Sequence, residues 1–278
     1  MAFSIYTVLP HPPPSLKVRL VSAVCYERKT DIANSVMSES TGSRSVVLFL
    51  LNELKITLVY SREVFQMLEV WGRKTSSNVQ ALMWCIGELE LPYQRYDVGH
   101  KYGGTDTDDF YLLNPNRTIP VIRDDLGPPF WETGAILRYL ACRYGHETFW
   151  PKDLLERTNV DRWTEWAKIS VAMNFNEPIF WRVVRTPAHL RDPSAIKKAV
   201  EFFEKRLMIA ETQLSRYQYL AGNDFTLADI QFGHVLFRYF DIDICRAELP
   251  QLRKYYEGLR QRLPYREHVM VSYEELRV

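Results

Sequence analysis

Apolar and polar positions alternate in short runs through the middle of this chain, then settle into long helical spacings toward its end. The short runs begin at Met67. MLEVW (67–71) reads as a strand. SSNVQALMWCIGELEL (76–91) sets Val79, Leu82, Met83, Ile86 and Leu89 near three- and four-residue spacings, the mark of a helix with one apolar face. PYQRYDV (92–98) reads as a second strand. GHKYGGTDTDDFYLLNP then supplies a Gly-rich loop and a short helix that ends before Pro115. TIPVIRDD (118–125) is a strand, LGPP a turn and PFW a short strand. ETGAILRYLACRYG (132–145) is a helix with Ile136, Leu137, Leu140 and Tyr144 on one side and Gly145 as its stop. The order β-α-β-α-β-β-α predicts an α/β sandwich of thioredoxin type.

After Pro151 the pattern turns to helices alone, expected at 154–174, 192–217, 226–241 and 249–262. FWPKDL is the natural boundary, so the expected fold class is an α/β thioredoxin-like N-terminal domain (67–148) plus an all-α C-terminal domain (155–278). Upstream, HPPPS (11–15) and SESTGSRS (38–45) are loop or disorder signals. Residues 1–66 are therefore expected to be an N-terminal extension, disordered or translated ahead of the folded start. The other reading is a helical arm built on residues 46–60 that packs on the main body.

Charge and cysteines narrow the function classes. A net charge of +1 with no Lys/Arg block argues against a nucleic-acid binder held by its overall field. Cys25, Cys85, Cys142 and Cys245 lie far apart with no CxxC pair, which points to a reduced intracellular protein without a zinc ribbon, and no metal is expected. VVLFLLNELKITLVY (46–60) is shorter than the roughly 20 residues a span needs, and Glu53 and Lys55 interrupt it. The first residues lack the pattern of a signal peptide. The expected address is the cytoplasm, with no membrane partner.

Four places can carry chemistry. Pro120 opens a strand, where its missing N–H costs no ladder bond. A cis bond there would turn the N–H and C=O of Ile119 outward to pair with a bound peptide; an ordinary trans proline is the alternative. Glu132 and Thr133 open a helix, beside free N–H groups and the positive end of its dipole. A carboxylate and a hydroxyl at that point can hold the amine and carboxylate of an amino acid, or simply cap the helix. Thr226-x-x-Asp229 is a capping box bracketed by Phe225 and Ile230, and reads as structural. Finally, Ser76, Ser77 and Asn78 gather small polar groups where a helix begins, as a cap or as groups aimed at a ligand.

In that order and spacing, SSNVQALMW, LNPNRTIPVI, FWETGAILRYLACRYG and YLAGNDFTLADIQFG resemble the cytosolic glutathione transferase superfamily. The resemblance covers the chain from Met67 onward. It implies that the first domain binds glutathione, that the second supplies most of the pocket for a small electrophile, and that the protein is a homodimer. Ser76 falls where theta- and delta-like enzymes carry their active serine. The zeta class has paired serines too, but a cysteine where this chain has Asn78. Bacterial nu-class proteins carry Thr-x-Asn, to which Ser76-x-Asn78 is similar, and disulfide-bond reductase activity is typical of that class. Thr133 replaces the commoner serine and keeps the hydroxyl.

The resemblance thus assigns Ser76 as hydrogen-bond donor to the glutathione sulfur, with Ser77 and Asn78 as the other candidates. Ile119 and Pro120 would align the cysteinyl backbone, and Glu132 and Thr133 the γ-glutamyl end. Arg117, or His100 with Lys101, would meet the glycyl carboxylate. Phe175, Trp181 and Arg182 are candidates for the co-substrate pocket, each with a packing role as the alternative. Two other functions stay open: a glutathione-dependent disulfide reductase, and a non-catalytic binding or scaffold protein of the same fold. An oxidoreductase using its own thiol ranks last, because Cys85 lies well inside the first helix.

Overall fold

Strand β1 (Leu68–Trp71) leads into helix α1 (Ser77–Glu88) and returns to β2 (Tyr93–Tyr96), which pairs with it in parallel, Leu68 opposite Tyr93. A short helix α2 (Asp108–Leu113) then feeds the hairpin β3 (Val121–Asp124) and β4 (Pro129–Trp131). β3 lies antiparallel to β1, so the strand order is β2-β1-β3-β4, and helix α3 (Thr133–Tyr144) completes the layer. This is the thioredoxin-like arrangement the alternation predicted. The computed structural model describes residues 67–278; the expectations for residues 1–66 fall outside them.

Helix α1 departs from the one-sided pattern. Every residue from Val79 to Ile86 is buried, Gln80 included. One side reaches the end of β1, where Val79 lies against Gly72. The other faces the helical body, where Trp84 packs edge-on against Tyr265 at 4.7 Å. Gly233 permits this close approach: a Cβ there would lie 2.6 Å from Leu259 and 2.9 Å from Trp84. Glu88 accepts both arms of Arg262, at 2.7 and 2.6 Å, and the Trp84 indole N–H at 2.7 Å. A bidentate charged pair of this kind fixes orientation as well as distance.

The helical body opens with α4 (Leu154–Trp166), whose Asp153 side chain accepts from the N–H groups of Leu155 and Glu156. The expected helix 154–174 does not stop at 174. It runs on through a π-helical segment (167–172), α5 (Met173–Phe175), a second π-helical segment (176–181) and α6 (Arg182–Val184). A π turn widens the helix by one residue and shifts its faces, which a 3.6-residue period cannot anticipate. α7 (Pro193–Leu214) follows, then α8 (Leu227–Gly233) and α9 (Leu236–Asp241), which break the expected 226–241 helix at His234. α10 (Pro250–Leu259) and α11 (Leu263–His268) close the body.

The Thr226–Asp229 capping box forms as read. Asp229 is fully buried, and its carboxylate accepts from the N–H of Thr226 (2.8 Å), the N–H of Leu220 (3.0 Å), the hydroxyl of Tyr255 (2.8 Å) and the hydroxyl of Thr226 (3.2 Å). Burial pushes its carboxyl above the usual range while those bonds pull it back.

Candidate functional site

The turn between β1 and α1 is shaped by Gly72. Its φ of +154° disfavours an L side chain, and a Cβ would lie 2.5 Å from Val79 Cγ2. Ser76 occupies the N-cap of α1 with extended backbone, yet its side chain makes no capping bond. Its carbonyl accepts from Gln80 N–H at 2.9 Å. The hydroxyl is thus left out of the helix, and α1 has no acidic residue in its first turn to compete for its positive end. Ser77 Oγ is buried with no hydrogen-bond partner among the described residues. Asn78 Oδ1 accepts from Lys168 Nζ at 2.7 Å. With its carbonyl occupied, the Asn78 amide keeps its two N–H donors.

Ser76, Ser77 and Asn78 line one cleft of about 170 Å³ together with Arg73 and Thr75. The helical body closes it with Asn176, Phe180, Trp181, Arg185, Arg238 and Leu276. Trp181 lines this cleft. Phe175 is not: it is fully buried among Phe180, Phe203 and Tyr239, the packing role held open for it. Arg182 is exposed and does not line the cleft; Arg185, one turn on, does. Trp163 and Trp166 pack on one another, and Trp166 on Phe232.

On the sheet side the Ile119–Pro120 bond is cis. Asn114 organises the preceding loop, donating to Thr118 O at 2.8 Å and accepting from Asn116 N–H at 2.9 Å. Neither backbone polar group of Ile119 has a hydrogen-bond partner among the described residues. Its side chain packs where Gly72 and Gly99 approach. Glu132 holds the N-cap of α3 at φ +69°, a left-handed conformation that costs a non-glycine residue ~1–3 kcal/mol. Its exposed carboxylate makes no capping bond, while Thr133 is buried at the helix start. Arg117 is committed to its own loop, donating to the carbonyls of Thr105 (3.3 Å) and Thr107 (2.9 Å) and lying over Tyr111.

Lys168, Arg238 and Glu275 shape the site although they carried no signal in the sequence. Lys168 lies in the first π segment, and its ammonium is held below the usual lysine range by burial, against the pull of Glu132 and Glu165. Arg238 is buried, donates to Thr75 O at 2.7 Å and lies 4.5 Å from the Phe180 ring; burial brings it down to about 9. His100 is held low by burial and by Arg73 and Arg185. Glu275, near the C-terminus, accepts from Thr75 Oγ1 and pairs with Lys101 at 2.6 Å. Cys85 is fully buried and its thiol is pushed far up, which leaves it inert as a nucleophile at neutral pH.

The sheet order and the helical body define a thioredoxin-like layer joined to an all-α layer, with a polar cleft where they meet. Residues 75–143 match the family model for the glutathione S-transferase N-terminal domain, and residues 173–262 that for the C-terminal domain. The chain is 31% identical over 206 residues to glutathione S-transferase GstB of Escherichia coli, covering 74% of this chain and 99% of that one. It is 28% identical over 172 residues to the Escherichia coli disulfide-bond oxidoreductase YghU, covering 59% and 58%. Among solved structures, the theta class glutathione S-transferase of Xanthomonas axonopodis pv. citri with glutathione bound superposes with a TM-score of 0.70 at 37% identity, covering 74% and 99%. This chain belongs to the glutathione S-transferase family.

Proposed function

We propose that this chain binds glutathione in the cleft ahead of α1, stabilises its thiolate and directs it at a small electrophile. Residues 67–148 form the glutathione-binding domain and residues 155–278 the helical one. The observation that carries this reading is the set of unused polar groups at the mouth of α1. The Ser76 hydroxyl makes no cap, Ser77 Oγ is buried without a partner, and Asn78 is turned by Lys168 so that its N–H groups are free. A buried polar group without a partner is costly, so such a cluster favours a ligand that completes it.

Glutathione reacts as thiolate, so its pKa must fall. Ser76 donates to the sulfur, with Asn78 Nδ2 as second donor. The end of α1 adds ~0.3–1 kcal/mol, and hydrogen bonds to a charged acceptor ~1.5–3 kcal/mol. At ~1.36 kcal/mol per unit, these lower the thiol pKa by about one to three units. Serine acts as donor only, since its own proton is held too tightly to serve as base. The N–H and C=O of Ile119, ahead of Pro120, pair with the cysteinyl backbone. Thr133 and the N–H groups of α3 take the γ-glutamyl carboxylate, and Glu132 its ammonium.

The working unit is a homodimer, as the family resemblance implies. A second reading, glutathione-dependent disulfide reduction, is favoured by Asn78 and by the likeness to YghU. Calorimetry with glutathione, followed by turnover assays with an alkyl halide and with a small disulfide, tests both. Absence of glutathione binding would sink either form of the proposal.

A further inference from the structure

The cleft that holds the polar groups of the α1 turn is also strongly positive. Arg73, Arg185 and Arg238 line it, and none forms an ion pair among the described residues. Arg238 is only 2% exposed, and its Nε has no partner; Arg73 Nε is likewise buried and unpaired. The Arg185 guanidinium lies over the Trp181 ring, 4.7 Å from its centre. The three also act on one another: the charge of Arg185 lowers Arg73, and that of Arg73 lowers Arg238, beyond what burial does. The nearby acid, Glu275, is already engaged by Lys101 and Thr75. A guanidinium stays protonated at neutral pH, so these charges persist in a partly desolvated wall.

We propose that this wall selects co-substrates bearing an anionic group, a carboxylate or its like, beside the electrophilic carbon, with Arg238, Arg185 and Arg73 as its receptors. The inference rests on the reading of the site as a glutathione transferase. Arg185 and Arg238 line the cleft from the helical body, and Arg73 from the β1–α1 turn. An arginine fork matches a carboxylate in two parallel bonds, which aims the adjacent carbon as well as holding it. With a haloacid the step balances simply. The thiolate sulfur forms a bond to the halogen-bearing carbon, and the halide leaves with the bonding pair. The carboxylate stays on the arginines. The thiol proton has already gone to solvent.

Iodoacetate and iodoacetamide share size and leaving group and differ in charge. Each enzymatic kcat/KM is divided by the uncatalysed rate of glutathione with the same reagent. The wild type is expected to favour iodoacetate by about tenfold or more, as one well-placed charged contact of ~1.4 kcal/mol would give. Arg185→Gln should lose most of that preference through a higher iodoacetate KM, and Arg185→Lys should restore part of it. No preference, or a preference for iodoacetamide, would overturn the proposal. So would an Arg185→Gln variant that weakens glutathione binding in calorimetry but keeps the preference, since the arginine would then serve glutathione. Failure of the wild type to bind glutathione at all would remove the underlying reading and this one with it. Glutathione binding with turnover blind to charge would remove this one alone.

Discussion

Replacing Asp229 by alanine is expected to destabilise the helical body more than a single surface change can. The carboxylate is fully buried and joins the start of α8 to the loop before it and to α10. Its removal strands two backbone donors, Leu220 N–H and Thr226 N–H, and the hydroxyl of Tyr255, bonded at 3.0, 2.8 and 2.8 Å. Each stranded donor costs ~1–3 kcal/mol, and relief of the buried carboxylate offsets part of the sum, leaving ~3–5 kcal/mol. Near the midpoint, 1 kcal/mol moves Tm by ~2–4 °C for a chain of this size, so the fall is roughly 6–20 °C. Asp229→Asn keeps one acceptor oxygen and should fall between the two. Circular dichroism melts of the three full-length proteins, at one concentration and scan rate, supply the comparison. An alanine variant melting within about 2 °C of wild type would refute the reasoning, because the network would then carry no net stability.

Other consequences follow from buried groups around α1. His234 is fully buried and held neutral, with burial bringing its pKa down to about 3. The unfolded chain takes up a proton near the ordinary value of 6.5 and the folded one does not. This stabilisation is therefore complete above that value and is lost as pH falls toward 3. Between pH 7 and 5 the loss is roughly 2 kcal/mol, which His234→Gln should remove from the pH dependence of urea unfolding; identical profiles would contradict the assignment. Lys168→Met frees Asn78 to rotate, and glutathione affinity by calorimetry should fall about tenfold. An unchanged affinity would mean that Asn78 is not positioned by Lys168 for the ligand. Cys85→Ser should keep turnover, since the thiol is sealed in the core; lost turnover with a native melt would revive a cysteine mechanism.

The sequence made β1 and α3 legible because each buries one face, and period alone finds such faces. The proline that opens β3, the α3 entry and the capping box were legible for a different reason: each is local, fixed by neighbours in the chain. Across the cleft the signal fails. Lys168 and Arg238 reach the α1 turn from 90 and 163 residues away, and nothing in their own segments sets them apart from other cations. The π segments move Arg185 rather than Arg182 to the cleft and leave Phe175 in the core, a shift of face that helical spacing does not encode. Arg117 had a plausible place in the loop, but nearby carbonyls compete for its guanidinium and hold it.

The central claim is that the α1 turn lowers the thiol pKa of bound glutathione. The direct test is a pH titration of thiolate absorbance on the purified protein with glutathione, for wild type and for Ser76→Ala, Ser77→Ala and Asn78→Ala. A bound-thiol pKa about one to three units below that of free glutathione, returning toward the free value in Ser76→Ala, is the predicted result. A low pKa that only Asn78→Ala restores would move the donor to the amide and favour the reductase reading. A bound thiol that titrates like free glutathione would contradict the claim.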